Sequence, residues 1–395
     1  MSLEELNSRY NIFTRLVNIK KRDKGRLSNL KFSIKDIIDI KGVPTTAGSR
    51  ILNNYIPDSN AYVVEKILEE GGEIIGKTNT HEFAMGATNT SSIFGPVKNP
   101  YDVERISGGS SGGAAVSVAL GLVDVGVGTD TGGSVRIPAA LCGVIGFKPS
   151  IGLIPTDGII PFSWSIDTVG FLVKDMQTLN RVLEVTLTDK TVLVSQIRRK
   201  PRVGLFLFGD DEVSRVLKPI VDTLNNYFDI KEIHNEILEK YSGDVRRKIV
   251  LPEAYSYHKK WFNERKDDYF PDVRRLLENG SKILGYEYVD ALRLRHVLIR
   301  EYMKIFSDVD VLISPTTKVV APKISEVIGN ELTFREKLVS NTEIFNVTGA
   351  PSISIPVTQL NGLPVGLMVS GELYQDGTVL DIAKRILDIV GFISK

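Results

Sequence analysis

The amino-acid sequence predicts an α/β fold, a large mixed, mostly parallel-type β-sheet flanked by helices on both faces. Short apolar runs suited to buried strands alternate with helical patterns through the first half of the chain. Sheet character returns at residues 309–314, 351–356 and 366–370. A third observation points to function. Between Arg105 and Lys148 the tripeptide Gly-Gly-Ser occurs twice, as Gly108-Gly109-Ser110 and Gly132-Gly133-Ser134. Paired glycines lack a Cβ, so backbone N–H groups can converge on one point while a serine hydroxyl stands at the turn. Acyl transfer needs both.

Residues 1–30 open with Leu3, Leu6, Tyr10, Phe13 and Leu16 at helical spacing, and a basic run follows at 19–26. Residues 30–40 alternate well enough for a strand through Ile34, which places Lys35 where a buried strand meets a loop before the turn Gly42-Val43-Pro44. Asp58 and Ser59 suit the cap of a helix over 61–70, stopped by Gly71-Gly72, and 73–76 reads as a strand leading to Lys77-Thr78-Asn79. In the central stretch a helix opens at Ser110 and runs through Leu120, and a buried strand follows at 123–127. Residues 152–170, rich in Gly and Pro, read as loops crossing the sheet edge. Residues 175–187 and 211–300 are mostly helical by pattern, and the charged, aromatic part at 253–277 reads as a cover over the site. A last amphipathic helix over 378–390 carries Leu380, Ala383, Ile386, Leu387 and Val390 on one side. No low-complexity linker marks a boundary, so one domain over 1–395 is expected.

Composition bounds the function. Hydrophobic residues make up 42% and charged residues 25%, the values of a soluble globular chain. The 49 Lys+Arg against 48 Asp+Glu leave a net charge of +1, with no footprint for nucleic acid or an acidic membrane. The basic runs at 19–26 and 198–202 read as solvated faces. Cys142 is the single cysteine, which excludes an intramolecular disulfide and a thiolate metal cluster and fits a reducing cytoplasm. The N-terminus lacks a charged-then-apolar signal pattern, and the longest apolar stretches, such as 137–147, are too short to span a bilayer. A cytoplasmic protein with no membrane or nucleic-acid partner is expected.

An activated serine needs a base. None of the four histidines, His81, His234, His258 and His296, lies in a setting that resembles a catalytic loop, and each reads as a surface or hydrogen-bonded residue. Gly108-Gly109-Ser110-Ser111-Gly112 matches a nucleophile elbow, yet the residues before it, 99–107, are loop-like where an elbow follows a strand. Ser28-Asn29-Leu30-Lys31 matches a Ser-x-x-Lys pattern without its companion motifs. No P-loop or dinucleotide fingerprint is present, and no His or carboxylate cluster has metal-ligand spacing. Neither a metal nor a cofactor is expected.

The central stretch resembles the signature of the amidase signature family of serine hydrolases. The likeness extends to Lys35-Asp36, residues 42–49, Gly76-Lys77-Thr78-Asn79, Glu82-Phe83-Ala84, Asn99-Pro100, Gly146-Phe147-Lys148-Pro149, Asp167-Thr168-Val169-Gly170, Asp310-Val311-Leu312, Pro315-Thr316 and residues 362–367. It is dense over about 30–185 and thinner over about 308–390, with a variable helical region at about 200–300. The resemblance implies a single amidase-type domain and gives Ser134 as nucleophile, Ser110 as bridging serine after a cis peptide bond, and Lys35 as base. It makes the lack of a catalytic histidine an expectation.

For a neutral amine at pH 7, the pKa of Lys35 must fall by roughly 3 from about 10.4, about 4 kcal/mol against its charged form. Its apolar neighbours Ile34, Ile37 and Ile38 are the right types. Backbone N–H groups of Thr131, Gly132, Gly133 and Ser134 are the candidate oxyanion donors, with Ser111, Asp130 and Arg136 holding the loop in place and Ala84 contacting substrate. The chain departs from the family at Ala114, where serine is frequent, and at Met368, where glutamine is frequent; both are expected to alter pocket polarity.

The reading that follows is an amidase that cleaves a small-molecule carboxamide to carboxylate plus ammonia or amine without a cofactor, with a homodimer left open. The alternative is the glutamine-hydrolysing A subunit of a glutamyl-tRNA amidotransferase, which needs a second protein as partner. A catalytically silent binding protein of the same fold is the reading from another class, opposed by the joint presence of Lys35, Ser110 and Ser134.

Overall fold

The computed structural model describes residues 2–195, 197 and 199–392. Eleven strands form one sheet: β1 Phe13–Ile19, β2 Lys31–Lys35, β3 Glu73–Thr78, β4 Val125–Asp130, β5 Ile145–Lys148, β6 Thr168–Val173, β7 Arg202–Leu205, β8 Asp229–Glu232, β9 Val311–Pro315, β10 Ser352–Leu360 and β11 Leu363–Gly371. Their order is β1-β3-β2-β4-β6-β5-β10-β11-β9-β7-β8. None of the described helices is long and apolar enough to cross a membrane.

The sheet is mixed, as expected, but less parallel than expected. β2 runs parallel to β3 and β4, and β7 parallel to β8 and β9. The other six pairings are antiparallel. The βα alternation that suggests parallel strands holds around β2, β3 and β4 and again at β7 and β8, which are joined by the helix Glu212–Leu224. Elsewhere antiparallel neighbours are brought together mostly by long segments, as between β5 and β6, and at one place by a tight turn, since an antiparallel pair can close through two residues while a parallel pair needs a crossover. Asn361 and Gly362 form such a connection between β10 and β11, with φ of 53° and 77°. Positive φ at both central residues suits the hairpin turn that an Asn-Gly pair favours.

The N-terminal segment also differs from its expected form. The helix Leu3–Tyr10 ends where Asn11 takes a left-handed conformation, φ 56°. Phe13 and Leu16 then lie in β1, paired antiparallel with β3. Helical spacing of the apolar residues continues past the true stop because Asn11 acts as a left-handed cap.

Helices cover both faces, and β6 shows how. Val169, Phe171 and Val173 face one core together with Leu179, Val182 and Leu183 of the helix Met176–Thr186. Leu172 faces the other with Ala115 and Val118 of the helix Gly112–Ala119. Alternate side chains of a strand point to opposite faces, so one buried strand anchors both layers.

The basic runs lie at the surface with paired charges. Arg26 bonds Glu70, Lys21 bonds Glu65, and Arg199 and Arg202 share Asp310. Arg198 of the second run lies outside the described residues. The family departures fall in the interior rather than in a pocket. Ala114 packs against Gly126 of β4, and the Met368 sulfur accepts from Arg136 Nη1 at 3.4 Å.

Phe171→Ala empties a fully buried position in the central sheet. The expected loss is about 3–5 kcal/mol of stability, read as a lowered denaturant midpoint. A loss below about 1 kcal/mol contradicts the two-sided core.

Candidate active site

Of the catalytic set implied by the resemblance, Lys35 and Ser134 leave the sheet at the C-terminal ends of neighbouring strands, and Ser110 meets Lys35 from the turn before the helix Gly112–Ala119. Lys35 closes β2, which runs parallel to β4, so the residues after β4 emerge on the same side. Lys35 Nζ donates to Ser110 Oγ at 2.7 Å and to Thr129 Oγ1 at 2.9 Å. The amine has no exposed surface, and burial pushes it down to about 7 against the opposing pull of Asp167 and Asp130. Desolvation of this kind favours the neutral amine.

Ser110 is held from several sides. The Gly109–Ser110 peptide bond is cis, as the resemblance implies. Thr80 Oγ1 donates to the Ser110 carbonyl at 2.9 Å, and Asn89 Oδ1 accepts from Gly112 N at 3.1 Å. The next residue, Ser111, donates its N–H to the Ser134 carbonyl at 3.1 Å, which ties the two Gly-Gly-Ser turns together. Its hydroxyl reaches the Thr129 carbonyl at 3.3 Å. Helix formation therefore starts at Gly112 rather than at Ser110.

The second turn is organised by a buried ion pair. Asp130 meets Arg136 Nε at 3.0 Å and Nη2 at 2.8 Å, and accepts from Gly133 N at 2.8 Å and Val135 N at 3.1 Å. Burial alone would raise this carboxyl. The Arg136 charge and hydrogen bonds, with that of Asn346, outweigh burial and hold it well below the usual carboxylate range. Arg136 continues to Asn346 and to the Thr342 carbonyl, and Thr342 Oγ1 bonds the Gly132 carbonyl at 2.6 Å. Gly133 has φ of 121°, and a Cβ there would sit 2.2 Å from Thr342 Oγ1, so no other residue fits.

This arrangement corrects one expected oxyanion donor. The Gly133 N–H is already taken by Asp130, while those of Thr131, Gly132 and Ser134 are not taken up by that carboxylate. Ala84 sits in the short turn Glu82–Ala84 with φ of 59° and packs in the main core. Ser134 keeps 8% of its surface exposed, so the turn is reachable from outside.

Several residues of this network are not evident from sequence. Thr129 shares the Lys35 amine. Asp167 accepts from Thr131 Oγ1 at 2.6 Å and from the N–H groups of Phe162 and Ser163; burial pushes its carboxyl up to about 6. Its place in Asp167-Thr168-Val169-Gly170, one of the stretches that carry the resemblance, is the signal that could have found it. The helix Glu236–Arg265 supplies a wall from one face, with Arg246, Glu253 and Tyr257 at positions i, i+7 and i+11. Glu253 accepts from Ser163 Oγ at 2.5 Å and Tyr288 OH at 2.8 Å, which clamps this helix to the 160s loop. The segment read as a cover is thus partly a lining.

A cavity of about 250 Å³, lined by Asp39, Tyr55, Ile160, Trp164, Asp167 and Tyr257, adjoins the network through Asp167. A larger one of about 710 Å³, lined by Ser91, Asp272, Arg275 and Leu332 among others, borders none of Lys35, Ser110 or Ser134. The histidines stand as expected: His234 and His296 are exposed, His81 bonds Asp272 at 2.9 Å and His258 bonds Tyr269 OH at 3.0 Å. Among the described residues, no group of His, Cys, Asp and Glu is placed to hold a metal ion.

Comparison with known proteins bears on the family and the fold. The sequence pattern of the family described as Amidase matches residues 14–203 and 223–380. The A subunit of a glutamyl-tRNA(Gln) amidotransferase of Archaeoglobus fulgidus is 36% identical over 398 residues, covering 92% of this chain and 86% of that protein. The crystal structure of an amidase superposes with a TM-score of 0.85 at 32% identity, over 93% of this chain and 85% of that one. The A subunit of the Thermotoga maritima glutamyl-tRNA(Gln) amidotransferase gives 0.84 at 33% identity, over 96% and 88%. With a family pattern across most of its length and relatives above 30% identity over nearly all of it, this chain belongs to the amidase family and is an amide-hydrolysing enzyme.

Proposed function

We propose that this enzyme cleaves a linear carboxamide through an acyl-enzyme on Ser134, with Lys35 as base acting through Ser110. The observation that carries the reading is the 2.7 Å contact from Lys35 Nζ to Ser110 Oγ, made by an amine that burial brings down to about 7. Neutral Lys35 takes the Ser110 proton, Ser110 takes that of Ser134, and Ser134 Oγ attacks the carbonyl carbon. The oxyanion faces the N–H groups of Thr131, Gly132 and Ser134, where loss of one donor costs about 100- to 1000-fold in rate. The C–N bond then breaks, and the relay returns its proton to the departing nitrogen. Water attacks the ester by the same route, releases the carboxylate and restores Ser134. Ala84, which the resemblance implies contacts substrate, is the proposed apolar contact of the acyl group.

A second reading concerns the amide itself. The relatives at 32–36% identity are named as A subunits of glutamyl-tRNA(Gln) amidotransferases, which favours glutamine as the substrate and a partner protein that takes up the ammonia. Ammonia release from glutamine, compared with simple amides, and recovery of a stoichiometric partner on purification separate the two readings. The single cysteine, buried and free, supports a cytoplasmic location.

Intact mass after reaction with a fluorophosphonate is expected to show one adduct on the wild type, none on Ser134→Ala, and far slower labelling of Ser110→Ala and Lys35→Met. An adduct that survives Ser134→Ala but is lost in Ser110→Ala would make Ser110 the nucleophile and overturn the role given to Ser134. The pH profile follows from the base. Lys35 works only when neutral, so kcat/KM is expected to rise with pH through about 7 and level off above it. Lys35→Met should lower the plateau by about 100- to 10,000-fold. A profile flat from pH 5 to 9 contradicts the assignment.

A further inference from the structure

Arg246 reaches the oxyanion loop from the helix Glu236–Arg265, and its guanidinium is only partly bonded. The side chain is 2% exposed, and Nε donates to Glu343 Oε2 at 2.7 Å. Nη2 is buried and has no hydrogen-bond partner. Nη1 would stand 3.1 Å from a Cβ placed on Gly132, with the guanidinium carbon at 3.5 Å. The group therefore lies against the loop two residues before Ser134. Arg335, also buried, lies close enough to repel it and is itself paired with Glu336 at 3.1 Å.

Buried donors are normally paired, and a guanidinium presents two parallel N–H groups that match a carboxylate. We infer that Arg246 is a specificity residue of this site, its Nη1–Nη2 edge taking the carboxylate of an anionic amide substrate. Gly132 and Ser134 are two residues apart, at most about 7 Å, so a carboxylate at Arg246 belongs to a molecule with two or three carbons between it and the scissile carboxamide. Half-amides of short dicarboxylic acids are the simplest members of this class. The inference rests on the Ser134 chemistry proposed above and deepens it by naming what the acyl group carries.

The test compares ammonia release from glutaramate and from 5-methylhexanamide, a neutral analogue of similar shape. In the wild type the ratio of kcat/KM, anion over neutral, is expected to be about 100. Arg246→Gln is expected to bring the ratio near 1, chiefly through a raised KM for glutaramate. Arg246→Lys should fall between, because it keeps the charge but loses the two-pronged contact. Fluorophosphonate labelling of Ser134 in each variant reports whether the site is intact. The wild-type ratio needs no variant: a value of 1 or below overturns the inference, as does an equal loss on both amides in Arg246→Gln, which would make Arg246 a brace between Gly132 and Glu343. Turnover of both amides without any labelling at Ser134 overturns the acyl-enzyme reading instead, and the ratio then judges Arg246 by itself.

Discussion

Lys35 ends a central strand with its amine enclosed, its hydrogen-bond partners among the described residues being the hydroxyls of Ser110 and Thr129, and the site depends on that enclosure. An ammonium in this position gains from the carboxylates of Asp167 and Asp130, but burial outweighs both. Bringing the amine from 10.5 to about 7 corresponds to about 5 kcal/mol against the charged form. The sign of its effect on folding is unfavourable. Between about pH 7 and 10.5 the unfolded chain binds a proton here that the folded chain does not, so this site's contribution to stability rises with pH across that window. Such a cost is tolerated where the neutral amine has work to do.

The sheet supplies the enclosure and the aim. Because β2 and β4 are parallel neighbours, Lys35 and the 129–136 loop leave the sheet at the same edge, the position where open α/β sheets place their ligands. The loop is then fixed by charge rather than by apolar packing. Asp130 and Arg136 are both fully buried, and a buried pair contributes only when its remaining donors and acceptors are matched. Here they are: Asp130 accepts from the backbone of its own loop, and Arg136 reaches Asn346 and Thr342. Removal of either charge would leave the other stranded beside Ser134.

Much of this is legible in the sequence because it is local. Lys35 at a strand end and the two Gly-Gly-Ser turns are read from neighbouring residues, and the structure brings them together; that Asp130 and Arg136, expected as holders of the loop, pair with each other is a finding of the structure. The parts that are not legible are contacts across the chain. Thr342 and Asn346 lie more than 200 positions from the loop they hold. Arg246 sits in an ordinary charged helix, and its meaning appears only when Gly132 is found against it. The Gly133 N–H suits the oxyanion by sequence because glycine frees the backbone, yet that freedom serves the bond to Asp130. Strand direction fails for a related reason. The βα pattern at the start is real, but the strands β5, β6, β10 and β11 pair antiparallel, with the Asn361-Gly362 hairpin closing the last two.

The central claim is that Lys35 is neutral in the resting enzyme near pH 7 and above. Lysines labelled with ¹³C at Cε, followed by NMR across pH 5 to 10, test it directly, the Lys35 signal being the one absent from Lys35→Met. The account predicts that this signal titrates near pH 7, far from the exposed lysines. A Lys35 signal that remains that of an ammonium to pH 9 or beyond would contradict it and remove the base from the proposed relay.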